Sequence, residues 1–252
     1  PRQTGSVVLI EGGLATFNLG SIDGVAKGSE VEVFTDQTFR QRVGRLSVAT
    51  IFREQARAPL LSMSIQPHYA VKISDSTHLT ALLQQVDDLA AQGQATHARE
   101  IAEQSAHWAQ SANLTPGEKA LSLERVAQLD FQAGAIDEAE ARYRAALDLL
   151  NTGRKISSGV KISIQNDLAS VAILRGDYDL AGKLLDQENP SSDQKSEASR
   201  LNNLGVLAEL HGNKQQAESL YAQALQSLGQ VQDALQEQKL VEANLTRIKG
   251  MH

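Results

Sequence analysis

Two periodicities divide this chain. Through about residue 74, apolar and polar residues alternate in short runs separated by glycine-containing turns, the period-two signature of half-buried strands. Val7-Val8-Leu9-Ile10 runs into Glu11-Gly12-Gly13, and Leu14 to Leu19 resumes with alternating polarity, which predicts two strands joined by a turn. Glu30 to Phe34 alternates cleanly, Arg42 to Ile51 alternates again, and His68 to Ile73 ends the series. Arg57-Ala58-Pro59 reads as a break in the strand signal, and Leu60 to Met63 as a loop that docks on the helices. Five or six short strands predict a small β-barrel or sandwich over residues 1–74, because a lone hairpin buries too little surface.

From residue 76 the apolar positions recur at three and four. The clearest stretch, Ser196 to Lys249, opens as a helical hairpin. Leu201, Leu204, Tyr221 and Leu225 supply bulk, while Gly205, Ala208, Ala217 and Ala224 are small where two antiparallel helices must come close. Three further copies align on the glycine between helical runs. Gly93, Gly134, Gly176 and Gly212 share that slot, each with an alanine five residues later at Ala98, Ala139, Ala181 and Ala217, and the spacings are 41, 42 and 36 residues. The second copy, with Leu123, Val126, Ala127, Tyr143, Ala146 and Leu147, matches nearly throughout. The third has Leu185 in place of the aromatic, and the first, His78 to Asn113, has Val86 for the small residue and Ala102 for Tyr.

Local chemistry marks the helix ends. Thr115-Pro116 with Glu118 three residues on reads as a helix start, and polar loops at Asn151–Gly159 and Glu188–Asp193 close two hairpins. Val231, Leu235, Leu240, Val241, Leu245 and Ile248 form one apolar stripe on a capping helix, which a stack of repeats needs at its end. The fold class expected is α+β multidomain: a small β-barrel or sandwich over 1–74, then an all-α solenoid over 75–252 of about four hairpins plus that cap.

The Gly, Ala-x3-aromatic-x2-Ala order at Gly212, Ala217, Tyr221 and Ala224 resembles the tetratricopeptide repeat (TPR), a module of ~34 residues. The longer spacings are similar to the extended repeats of kinesin light chains and related bacterial proteins. Gly24-Val25 to Val33 with Val43-Gly44 to Val48 looks like small β-barrel modules of bacterial envelope and flagellar assembly proteins. In repeats of this kind the first helix of each hairpin lines a concave groove, and Asn in Leu-Asn-Asn-Leu hydrogen-bonds the backbone of a bound extended peptide. Leu201-Asn202-Asn203-Leu204 and Gln165-Asn166-Asp167-Leu168 match that motif; Leu123-Glu124-Arg125-Val126 departs from it. The resemblance implies groove contacts from Arg125, Gln128, Asn166, Asn202 and Asn203, although Asn at these positions serves equally well to hold a neighbouring loop. A lysine clamp for acidic C-termini is absent, since these positions offer Arg125 and no Lys.

Composition narrows the function. The chain is 41% hydrophobic but only 4% aromatic, which suits helices packed through small side chains better than a large β core. No apolar run reaches the ~18 residues of a membrane span. Starting at Pro1 with no basic, apolar leader, the sequence reads as a trimmed or processed product, soluble, of a bacterial periplasm or envelope or of the cytoplasm. With no cysteine, disulfides, thiol catalysis and cysteine–metal sites are out of reach. Residues 1–74 carry 8 Lys+Arg against 6 Asp+Glu and residues 75–252 carry 16 against 24, so the helical part is acidic and ill suited to nucleic acid.

Arg40, Arg42, Arg45, Arg53 and Arg57 concentrate basic charge, but strand alternation places Arg40 and Arg42 on one face and Arg45 and Arg53 on the other. Trp108 reads as core, or as a contact between repeat and β domain, or as a ligand platform. The six histidines lack i,i+4 pairing, and no nucleophile has a base partner. The expectation is therefore no catalytic residue, no cofactor and no metal. What is left is a protein–protein interaction scaffold or adaptor that binds a peptide or protein segment, or alternatively a structural self-assembly module or the regulatory fragment of a larger protein.

Overall fold

The computed structural model describes residues 1–152, 158–186, 193–229, 231 and 234–250. The chain forms two compact units, residues 1–118 and residues 119–252. The polar loops expected after Asn151 and Glu188 fall largely on 153–157 and 187–192, outside the described residues.

The first unit is built on seven antiparallel strands: β1 (Thr4–Glu11), β2 (Leu14–Phe17), β3 (Glu30–Phe34), β4 (Arg42–Ser47), β5 (Thr50–Ile51), β6 (Ala56–Pro59) and β7 (Ala70–Ile73). Their order is β4-β3-β7-β1-β2-β6-β5. Alternation sends Val7, Phe17, Val31, Val33, Val71 and Ile73 into a core where each is wholly buried. A register shift in β1 between Val7 and Leu9 lets both Val8 and Leu9 turn outward.

The expected strand from Arg42 to Ile51 is two strands, one at each edge of the sheet. Between them Val48 exchanges hydrogen bonds with Ser29 and Gly28, at 3.0 and 2.8 Å, and Ala49 donates to Arg57 O at 2.9 Å. The chain thus steps around the corner from one edge to the other, but the sheet stays open, so barrel describes it only loosely. β6 was hidden by its small residues. Ala56 and Ala58 are both wholly buried and Arg57 points out, and Pro59 pairs with Leu14 of β2 beyond the reach of two-residue β5, where its missing N–H deprives no partner. Leu60 and Met63 pack on the sheet core rather than serving as a helix-docking loop.

Behind β7 come α1 (Asp75–Ala91) and α2 (Ala95–Ser111). Ser74 caps α1 by accepting from Thr77 N at 3.1 Å, and Asp75 accepts from Asn113 N at 2.7 Å. Val86 and Ala102 are wholly buried, so the divergent first copy is a hairpin with its bulk moved from the second helix to the first. Trp108 is half-buried, edge-on to His78 at 4.9 Å between ring centroids.

α3 (Pro116–Gln132) starts at the boundary between the units with a capping box. Thr115 N donates to Glu118 Oε2 at 2.8 Å, and Glu118 N donates to Thr115 Oγ1 at 3.3 Å. The second unit continues through α4 (Ile136–Thr152), α5 (Ser158–Arg175), α6 (Tyr178–Leu185), α7 (Gln194–Leu210), α8 (Lys214–Leu228) and α9 (Leu235–Lys249). The Gly-x4-Ala coincidence has one cause, met identically in all four hairpins. Each glycine takes a left-handed φ of 75 to 79°, and the following residue donates back five positions: Gln94 to Leu89, Ala135 to Asp130, Asp177 to Ala172 and Asn213 to Ala208, at 2.8 to 2.9 Å. The alanine five residues on then meets the preceding helix with no exposed surface.

Between α7 and α8 the helix contact is close enough that a Cβ on residue 205 would lie 2.6 Å from Tyr221 Cε1. On α9, Val241 and Ile248 are buried against α7 and α8, whereas Leu235 and Leu240 face away. The seam is narrower than the expected stripe because Leu240 and Val241, being adjacent, cannot share a face.

Candidate functional site

The first helices of the hairpins in the second unit, α3, α5 and α7, with α9 beyond them, carry the five expected contact residues, and polar side chains connect each helix to the next. From α3, Glu124 accepts from Ser163 Oγ of α5 at 2.6 Å, and Gln128 donates to Asp167 of α5 at 3.0 Å. Arg125 donates to Gln128 Oε1 at 3.1 Å, so arginine, glutamine and aspartate form one relay, which the Tyr143 hydroxyl of α4 joins at Asp167. From α5 to α7, Asn166 donates to Ser196 O at 2.8 Å, and Asn203 Nδ2 donates back to Asn166 O and Ser170 Oγ at 3.1 and 3.0 Å. From α7 to α9, Asn202 Oδ1 accepts from Asn244 at 2.9 Å. Glu209 accepts from the Tyr221 hydroxyl at 3.0 Å and pairs with Arg247.

The five residues thus divide. Asn166, Asn202 and Asn203 are only 2%, 9% and 9% exposed, each engaged with a neighbouring hairpin or with α9. Arg125 and Gln128 are half-buried, with one flank toward solvent. Of the other positions on the same helix faces, Phe131, Ile173 and Val206 pack into hydrophobic clusters. Sequence reasoning missed Ser163, Tyr143 and Asn244 as partners. The signal was present in the spacing: Glu124–Ser163 and Gln128–Asp167 are both 39 residues apart, about one helical turn short of the 42 that separate Gly134 from Gly176.

Electrostatics centre on Glu124, Asp167 and Tyr143. Glu124 is 5% exposed, and burial pushes its carboxyl up to about 7, against the pull of the Ser163 hydroxyl and Arg125. Burial also raises Asp167, although Gln128, Tyr143 and Arg125 oppose it, and burial beside the two acids raises the Tyr143 hydroxyl. In the first unit Asp23, 2% exposed, goes the other way: burial alone would raise it, but the Arg2 guanidinium at 3.0 and 2.8 Å and the N–H groups of Arg2 and Gly20 hold it below the usual range. The arginines of β4 are solvated ion-pair partners. Arg42 and Arg45 both reach Glu32, at 2.9 and 3.3 Å, because the register shift between Val33 and Phe34 brings Arg42 onto the face of Arg45. Among the described residues no His, Asp and Glu group is arranged to hold a metal, and no helix is long and apolar enough to cross a membrane.

No family model and no curated protein sequence matches the chain. Solved structures do. The chain is similar to BtubC (BKLC) from P. vanneervenii, at 19% identity and a TM-score of 0.52 over 70% of this chain and 73% of that one. It is similar to a putative kinesin light chain with nearly identical TPR-like repeats from Podosopora anserina, at 17% identity and 0.52 over 70% and 86%. It is similar also to a chain of the APC/C hetero-tetramer Cut9-Hcn1, at 18% and 0.50 over 70% and 36%. The helical hairpins accordingly have the tetratricopeptide-repeat fold, preceded by an antiparallel sheet.

Proposed function

We propose that this protein is a non-enzymatic adaptor whose first helices α3, α5 and α7 hold an extended peptide or protein segment. Residues 75–252 act in this proposal as one repeat array, a division supported by the four identical Gly-x4-Ala turns, and residues 1–74 as its β module. The observation that carries it is the graded exposure along the polar ladder. Arg125 and Gln128 present donors at its half-open end, while Asn166, Asn202 and Asn203 stand behind, fixing the approach of successive helices and meeting a ligand only by their edges. A structure similar in fold is part of a hetero-tetramer, in keeping with a protein partner. Panning a random peptide phage library on the full chain should enrich extended binders, and the double variant Arg125→Ala, Gln128→Ala should bind a selected peptide at least roughly tenfold more weakly while remaining folded, as expected for two lost polar contacts. Unchanged affinity in that folded variant would sink the groove assignment.

A second reading rests on α9, whose exposed Leu235 and Leu240 suit contact between copies. Light scattering across concentration decides it: a concentration-independent monomer removes self-association.

A further inference from the structure

Glu124 poses a problem that the groove does not solve. It is a carboxylate at 5% exposure, on the face where α3 meets α5, and its partner there is a neutral hydroxyl, Ser163 Oγ at 2.6 Å. Asp167, one turn along α5 from Ser163, is the second acid of the junction. The charged and titratable groups acting on Glu124 are Arg125 on its own helix and Asp167 on α5, with Tyr143 of α4 coupled to both acids. These helpers are unequally shared. Asp167 takes the Gln128 amide at 3.0 Å and the Tyr143 hydroxyl, and Arg125 spends a donor on Gln128. An ionised Glu124 would therefore sit in a buried helix contact beside a like charge that takes more of the junction's donors, and separating α3 from α5 to admit water is the available relief.

We propose that the contact between the second and third hairpins is a proton-operated joint, closed while Glu124 is protonated and loosened when Glu124 and Asp167 are both charged. The proton moves only between the Glu124 carboxyl and bulk water, so no other group need change state. The direction of both acids fits: burial raises each, and Glu124 reaches about 7, within the range where cellular pH varies. At the neighbouring junction of α5 with α7, the ladder contacts of Asn166 with Ser196 and of Asn203 with Asn166 and Ser170 are amide and hydroxyl contacts that do not titrate, so that junction lacks this device.

The test uses the full chain and no ligand. Hydrogen exchange, corrected for the intrinsic pH dependence, is compared at about pH 5.5 and about pH 8.5 for wild type and Glu124→Gln. Amides of α3 and α5 in the wild type should lose protection by roughly tenfold or more at the higher pH, while those of α7 and α8 hold steady; in Glu124→Gln the difference should vanish. Equal protection at the two pH values, or the same loss in Glu124→Gln, would overturn the proposal. Should that variant fail to fold, carbon NMR titration of the wild-type glutamate carboxyls still decides: a Glu124 midpoint near 7 supports the joint, and one in the ordinary glutamate range refutes it.

Discussion

Asp23 in the sheet unit and Glu124 in the repeat unit are both nearly removed from water, at 2% and 5% exposure, yet their surroundings push them in opposite directions. Asp23 is the hub of its region. It receives a bidentate guanidinium and a backbone N–H from Arg2, twenty-one residues away in sequence, and a second backbone N–H from nearby Gly20, so its charge is satisfied where it lies. Glu124 is one rung of a ladder and has one neutral hydroxyl, Ser163 Oγ, as its hydrogen-bond donor, so its charge is tolerated rather than used. Burial alone therefore says little about a carboxylate. The number and polarity of donors converging on it decide whether folding favours the charged or the neutral form.

The sharpest way to break this comparison is to delete the hub. Asp23→Ala leaves the backbone N–H groups of Arg2 and Gly20 without their acceptor and the half-exposed Arg2 guanidinium without its partner, and should cost about 2–4 kcal/mol by chemical denaturation at neutral pH. Because folding lowers the Asp23 pKa, its contribution is present above the unfolded value near 3.8 and is lost as pH falls through the folded one; Asp23→Asn should flatten that acid limb. Next in size, Glu124 has the opposite sign. Its folded pKa lies above the unfolded 4.5, so wild-type stability should decline between pH 4.5 and about 7 and then level off, and Glu124→Gln should be the more stable protein at pH 8, by up to about 3 kcal/mol. A pH scan of thermal unfolding reads both limbs in one experiment.

Smaller effects test architecture without charge. Gly205→Ala drives a methyl group into the Tyr221 ring and should cost about 1–3 kcal/mol, measurable as a lower denaturation midpoint with an unchanged slope. Asn213→Ala removes the side chain that accepts from Gln216 N at 3.2 Å at the start of α8, and should cost about 1 kcal/mol.

Much of the fold was legible because its signals are local. A left-handed glycine followed by a five-back hydrogen bond needs only one residue type at one place, so Gly93, Gly134, Gly176 and Gly212 announced their turns whatever surrounded them. β6 was not legible: its inward residues are Ala56 and Ala58, which carry little strand preference, and what holds them is pairing with β2 and β5. The facing of Arg42 and Arg45 failed for a related reason, since a bulge resets strand parity and no residue in the run marks it.

The candidate site was half legible. Spacing put Asn166, Asn202 and Asn203 on the first helices of their hairpins, but their partners depend on the axial offset between neighbouring first helices. Only packing fixes that offset. Thus Ser196 O, Asn166 O and Asn244 emerged as their partners from the structure alone.

The ladder from α5 to α9 also has a mechanical meaning. Its rungs join the first helices and the cap in series, Asn166 with Ser196 and Asn203 with Asn166 from α5 to α7, and Asn244 with Asn202 from α7 to α9, and none of these three reaches from α5 to α9. A load applied across these helices is therefore carried by each junction in turn, so the array should yield one hairpin at a time, with the next rung arresting the tear.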